Sequence, residues 1–131
     1  MSSVFAKIVA GEIPAWKVAE TQKYLAFLDI NPVAEGHTLV IPKQATDNIF
    51  DLDEETYAGL FLFAKVVQDA IVKVVPCQRV GMAVVGLEVP HAHIHLIPLN
   101  SMADFSFEKE KRQLSESAFE ELAKKIATAI G

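Results

Sequence analysis

Apolar positions change period several times along the chain, and each change marks an element. Val4, Phe5 and Ile8 fall on one side of a short helix over 4–10, which Gly11 ends. Extended stretches follow at Trp16 to Glu20, Tyr24 to Leu28 and Thr38 to Ile41, the last stopped by Pro42. Asp29-Ile30-Asn31-Pro32 reads as a turn and Gly36 as a second break. From Asp53 to Val75 the period becomes helical: Tyr57, Leu60, Phe61, Ala64, Val67, Ala70, Ile71 and Val74 form one stripe. Asp51 or Asp53 can cap this helix, Glu54 and Glu55 suit the positive end of its dipole, and Pro76 blocks its continuation. Two more strands are predicted at Arg79 to Val85 and Val89 to Ile97. Asn100 to Gln113 is polar and irregular, a candidate mobile loop. Ser117-Ala-Phe-Glu120 reads as a capping box for a last helix with Phe119, Leu122, Ala123, Ile126 and Ile130 on one face. Five strands and three helices that do not alternate regularly predict an α+β fold with a mainly antiparallel sheet.

At 131 residues the chain is expected to form one domain over 1–131, with 100–131 a variable loop and C-terminal helix. A net charge of −5 without a basic stripe argues against polymeric nucleic acid as a partner, but not against a small anion. The single cysteine, Cys77, excludes an intramolecular disulfide and a multi-cysteine zinc site. No apolar run reaches the roughly 18–20 residues that span a bilayer, and Lys7 interrupts the short apolar stretch at the N-terminus. A cytoplasmic protein is expected.

Three of the four histidines stand at alternate positions in Pro90-His91-Ala92-His93-Ile94-His95-Leu96-Ile97-Pro98. On a strand they would line one face about 6.5–7 Å apart, with Ala92, Ile94 and Leu96 anchoring the other. Two chemistries suit such a row. The imidazoles, joined by His37, could ligate a metal, although no acid of suitable parity lies beside them to complete such a site. Alternatively one neutral imidazole acts as a nucleophile toward phosphorus while its neighbours hold phosphate oxygens.

The stretch His91-Ala-His93-Ile-His95-Leu-Ile resembles the motif of the histidine-triad (HIT) family, His-φ-His-φ-His-φ-φ with φ apolar. Phe5-Ala-Lys7-Ile8-Val9-Ala-Gly-Glu-Ile13-Pro14, Ala26-Phe27-Leu28-Asp29-Ile30-Asn31-Pro32, Gly36-His37-Thr38-Leu39-Val40-Ile41-Pro42-Lys43 and Asn48-Ile49-Phe50-Asp51-Leu52 resemble its other signatures, in order. The resemblance implies the histidine-triad fold. It also implies hydrolysis at the α-phosphate of nucleoside phosphoramidates or related conjugates. His93 would form a nucleotidyl-histidine, which water would release as a nucleoside monophosphate. His91 would orient the nucleophile, His95 contact phosphate and His37 support the triad. Asp29 would accept from the ribose hydroxyls, and Phe5, Ile8, Ile13, Phe27 and Ile30 would enclose a purine base. A homodimer joined through the long helix and an adjacent strand is implied too, and Leu62, Phe63 and Val66 widen that helix's apolar arc accordingly. Alternatives are a dinucleoside polyphosphate hydrolase and a non-catalytic nucleotide-binding protein.

The match fails in two places. Ser3, Ala6 and Ala45 stand where some members of the family carry zinc ligands, so neither a metal nor another cofactor is expected. The family's Asn- and Gly-rich loop before the triad, ending in Gly-Gln, is shortened here to Gly81-Met-Ala-Val-Val-Gly86-Leu87-Glu88-Val-Pro90, and Leu87 replaces the Gln.

Overall fold

The structure is a computed structural model that describes residues 3–108 and 110–131; Met1, Ser2 and Lys109, which belong to the predicted N-terminal and charged-loop segments, lie outside the described residues. Its elements are α1 (Val4–Val9), β1 (Lys17–Glu20), β2 (Tyr24–Leu28), β3 (Thr38–Pro42), α2 (Glu54–Val74), β4 (Arg79–Ala83), β5 (Ile94–Leu99) and α3 (Glu116–Ala129), with 3₁₀ turns at Ile49–Asp51 and Met102–Asp104. The strands form one antiparallel sheet in the order β1-β2-β3-β5-β4. This is the predicted α+β class. Among the described residues no helix is long and apolar enough to cross a membrane.

The three inner strands are buried on both faces, which is why β2 and β3 read as continuous apolar runs rather than alternating ones. Alternate residues feed two separate cores. Ala26, Leu28, Val40, Ile94 and Leu96 face α2 and α3, against Leu60, Ala64, Val67, Ala70, Ile71, Phe119, Leu122 and Ile126. Leu25, Phe27, Leu39 and Ile41 face the other way, against Phe5 and Ile8 of α1. Helix α1 therefore owes its place to two anchors and to its cap, Ser3, whose hydroxyl accepts from the Ala6 N–H.

Asp53, not Asp51, caps α2 through the Thr56 N–H. Tyr24 donates its hydroxyl to the Thr56 carbonyl, and a Cβ on Gly59 would lie 2.0 Å from that hydroxyl oxygen, so the helix start packs on β2 only with glycine there. Gly36 has φ +92° and turns the chain into β3, allowing the His37 N–H to reach Ala34 O and the Asp29 N–H to reach His37 O. Asp29 and His37 are thereby held at one end of the β2–β3 hairpin.

Two expectations are corrected. The predicted strand at Val89 to Ile97 starts only at Ile94, so His91 and His93 precede it. The reason is local: in the β3–β5 register Val40 faces Ile94, and two residues on Pro42 has no N–H to continue the ladder. The last helix is capped by Ser115, whose hydroxyl accepts from the Ala118 N–H, rather than by a box at Ser117, which lies inside the helix. The span from Asn100 to Gln113 contains the capped turn Met102–Asp104 and packs against the body of the protein through Arg112 N–H to Pro32 O, at 2.8 Å.

Candidate active site

A cavity of about 380 Å³ opens on the α1 side of the sheet. Its floor follows from the strand register. Phe27 faces Leu39 on β3, and Leu39 faces His95 on β5, so the three form one row across the inner strands. Phe5 and Ile8 of α1, with Ile13, line it, as do Asp29 and Ile30 at the hairpin end and Val85 to Val89. Phe5 packs edge-on against both Phe27 and His93, with ring centroids 5.4 and 5.0 Å apart. The candidate residues Phe5, Ile8, Ile13, Phe27, Asp29, Ile30, His37, His93 and His95 thus line one cavity. His91 does not. Its ring is fully buried, between Pro42 and Ser3.

Backbone groups fix the hydrogen on each imidazole. A carbonyl oxygen only accepts, so the 2.7 Å contact of His93 Nδ1 with His91 O places the hydrogen on Nδ1 and leaves Nε2 with its lone pair. His91 donates Nε2–H to Pro42 O at 2.8 Å, and its Nδ1 accepts from the Ser3 hydroxyl at 3.2 Å. Val33 N–H donates to His37 Nδ1, so His37 Nε2 carries a hydrogen and gives it to His95 Nδ1 at 2.9 Å. His95 is left with Nε2–H as a donor. Among the described residues no buried side-chain nitrogen or oxygen lacks a partner. The Nε2 atoms of His93 and His95 bond none of the described residues, so they are open to the cavity: in the uncharged rings one offers a lone pair, the other a hydrogen-bond donor beside it. The two rings meet at 4.9 Å.

Burial dominates the protonation of the His37–His95 pair. It pushes His37 down to about 3, with the Lys111 ammonium and His93 contributing, and His95 down to about 4, with His37 and His93 contributing. His91 is lowered as well, again chiefly by burial, against the opposing effect of the Pro42 carbonyl. The 3.6 Å approach of Asp29 Oδ2 to His37 Nε2 is therefore not an ion pair, because the ring is neutral. The other Asp29 oxygen accepts from Asn31 N–H at 2.8 Å, the turn bond open to an Asp at this position. Asp29 both holds the turn and keeps Oδ2 on the cavity.

Asp29, His37 and His95 offer three ligand atoms within 4.8 Å of one another. The hydrogen bonds argue against a metal there. His37 Nδ1 already accepts from Val33, so an ion at Nε2 would require the doubly deprotonated ring. At the N-terminus, Ser3 uses its hydroxyl on Ala6 and His91, and Ala6 and Ala45 offer no side-chain donor atoms, so these residues do not fit a zinc site.

The sequence reading missed Ser3 as a partner of His91, and it missed Phe107 and Lys111. The last two line the cavity from the segment after β5, with the Phe107 ring 4.7 Å from that of His95. Two aromatic residues, Phe105 and Phe107, in an otherwise polar segment were the available signal. Leu87, 89% exposed, and Glu88 also line the cavity.

Residues 10–102 match the HIT domain. The chain belongs to the HIT family. It is 33% identical over 135 residues to an uncharacterized HIT-like protein of Borreliella burgdorferi, covering 97% of each. It is 42% identical over 100 residues to an adenosine 5′-monophosphoramidase of Schizosaccharomyces pombe, covering 75% of this chain and 74% of that one. A crystal structure of a zinc-bound histidine triad family protein from Mycobacterium smegmatis superposes with a TM-score of 0.85 at 31% identity, over 99% of this chain and 94% of that chain.

The depressed histidines link this HIT site to stability. Unfolded, both rings take their proton near pH 6.5; folded, only near 3 and 4. The unfolded state therefore holds more protons between these values, and stability is complete above about pH 6.5 and lost as pH falls. Urea unfolding is expected to show a midpoint that drops between about pH 6.5 and pH 5, above the main carboxylate range, with a slope of up to about 1.4 kcal/mol per pH unit for each ring. His37→Gln should flatten that slope. A wild-type midpoint constant over this interval would contradict burial of the neutral pair.

Proposed function

We propose that the protein is a nucleotide hydrolase that cleaves the α-phosphate bond of nucleoside phosphoramidates or related nucleotide conjugates. One observation carries the reading: the carbonyl of His91 holds Nδ1–H of His93, so the ring in its uncharged form turns an Nε2 lone pair to a cavity with an apolar wall. In the first step Nε2 of His93 bonds to the α-phosphorus and the phosphorus–nitrogen bond breaks, its electron pair leaving with the amine, which takes up a proton from solvent water. Water then attacks the nucleotidyl-histidine, yielding the nucleoside monophosphate and restoring His93. His95 donates Nε2–H to a non-bridging oxygen in both steps. His91 orients the nucleophile through its main-chain carbonyl rather than through its ring, and the ring ties α1 to Pro42. His37 acts behind His95 by fixing its tautomer. Phe5, Ile8, Ile13, Phe27 and Ile30 hold a purine, and Asp29 Oδ2 accepts from the ribose hydroxyls. The relative named adenosine 5′-monophosphoramidase supports this substrate class over dinucleoside polyphosphates.

The protein acts as a homodimer in this reading. Leu62 and Val66 on α2, and Met82 with Val84 at the outer strand β4, are exposed aliphatic positions on neighbouring elements. Phe63, by contrast, is occupied within the chain, stacked on Tyr24 at 5.6 Å.

Three measurements test the proposal. His93→Gln should lower turnover of an adenosine phosphoramidate by about a thousandfold or more with the fold retained. Turnover unaffected by that change would remove His93 as the nucleophile, and binding without turnover in the wild type would leave only a nucleotide-binding role. Removing the 2′-hydroxyl should reduce kcat/KM about 5- to 150-fold by stranding a carboxylate oxygen, and Asp29→Ala should erase most of that difference. That variant should also lose about 0.5–1.5 kcal/mol of stability with the Asn31 turn bond; equal kinetics for ribo- and deoxyribonucleotide substrates in the wild type would remove Asp29 from the site. Light scattering should give twice the chain mass of 14.4 kDa; a monomer at micromolar concentration would rule the dimer out.

A further inference from the structure

The cavity has an unbalanced set of charges for a phosphate ligand. Asp29 and Glu88 are acidic, and among the described residues that line it Lys111 is the single lysine or arginine. His37 and His95 are neutral donors or acceptors, as derived above, and bring no formal charge. The pre-triad loop contributes aliphatic side chains where amides would serve an anion. A nucleotide α-phosphate nevertheless carries at least one negative charge into this space.

Lys111 is placed to meet it. Its segment is fastened to the body at two points. Arg112 N–H bonds Pro32 O, next to the Asp29 turn, and the Phe107 ring lies against His95 and His37, at 4.7 and 6.3 Å. The Lys111 ammonium donates one hydrogen to the Phe107 carbonyl, which fixes it beside those two rings. An ammonium has three hydrogens, so this anchor does not exhaust it. Residue 111 lies beyond residues 10–102 that match the HIT domain.

We propose that Lys111 is the cationic phosphate-binding residue of this site, held beside His37 and His95 by the Phe107 and Arg112 contacts and pairing with non-bridging α-phosphate oxygens. The assignment rests on the nucleotide reading above and adds to it the source of charge neutralisation. Phe107 is a positioning residue in this arrangement: its carbonyl holds the ammonium and its ring holds the segment on His95.

Equilibrium binding separates this from a structural role, because AMP and adenosine differ only in the phosphate. Calorimetric titration of the full chain with each ligand, for wild type, Lys111→Met and Lys111→Arg, is the test. Lys111→Met should weaken AMP about 10- to 100-fold, the range of a lost hydrogen bond to a charged group, and leave adenosine within about twofold. Lys111→Arg should restore most of the AMP affinity, since it keeps the charge. Unchanged AMP binding in Lys111→Met would overturn the assignment while leaving the nucleotide reading intact. Parallel weakening of AMP and adenosine would overturn it too, by making Lys111 a structural prop. Failure of the wild type to bind either ligand would instead remove the nucleotide reading, and the phosphate role with it.

Discussion

The hydrogen on each imidazole of the triad is set by the main chain, and the rest of the site depends on that. Val33 N–H fixes His37, His37 fixes His95, and the His91 carbonyl fixes His93. None of these bonds can reverse while the rings are neutral, because a backbone N–H cannot accept and a carbonyl cannot donate. Four similar side chains thereby acquire different properties. His93 offers a lone pair, His95 a donor, and His37 and His91 turn both nitrogens inward. Burial strengthens the same assignment by keeping the His37–His95 pair uncharged. A hydrogen-bonded pair of neutral rings is tolerable in a low-dielectric interior, where a pair of imidazolium ions is not.

Much of this was legible from parity alone. Alternation at His91, His93 and His95 correctly placed Ala92, Ile94 and Leu96 in the α2 core, although the strand begins only at Ile94. Extended backbone keeps its alternation whether or not a ladder bonds it, so the face assignment survived an error in the boundary. The distinct fate of the His91 ring was not legible. It depends on Pro42 O being left without a strand partner and on a serine cap reaching across 88 positions of sequence. Alternation says which side a ring faces, and only tertiary contacts say whether that side is cavity or core.

The segment after β5 defeated sequence reasoning for a different reason. Its charges from Glu108 to Arg112 have the composition of a solvated loop. Phe107 packs on rings supplied by β5 and the turn before β3, and Lys111 follows it there. No local period encodes such a placement. The same limit applies to the last helix, where Ser115 and Ser117 are both chemically able to cap and only the chain geometry at Ser115 selects the first.

The two faces of the sheet divide the work of the sequence. On the α2 side, residues such as Ile94 and Leu96 belong to the main apolar core, and their substitution acts on folding. On the α1 side, Phe27, Leu39 and His95 form both a smaller core and a cavity floor, so packing and ligand contact are not separable there. Helix α1 is six residues long, too short to be stable alone, and its position comes from Phe5, Ile8 and the Ser3 hydroxyl shared between its own cap and His91. The hydroxyl therefore joins two functions in one atom: it starts the helix that walls the cavity and fixes the ring whose carbonyl aligns His93. Adjacent strand residues thus answer to different constraints, His95 to the cavity and Leu96 to the core, because a one-residue step changes the face.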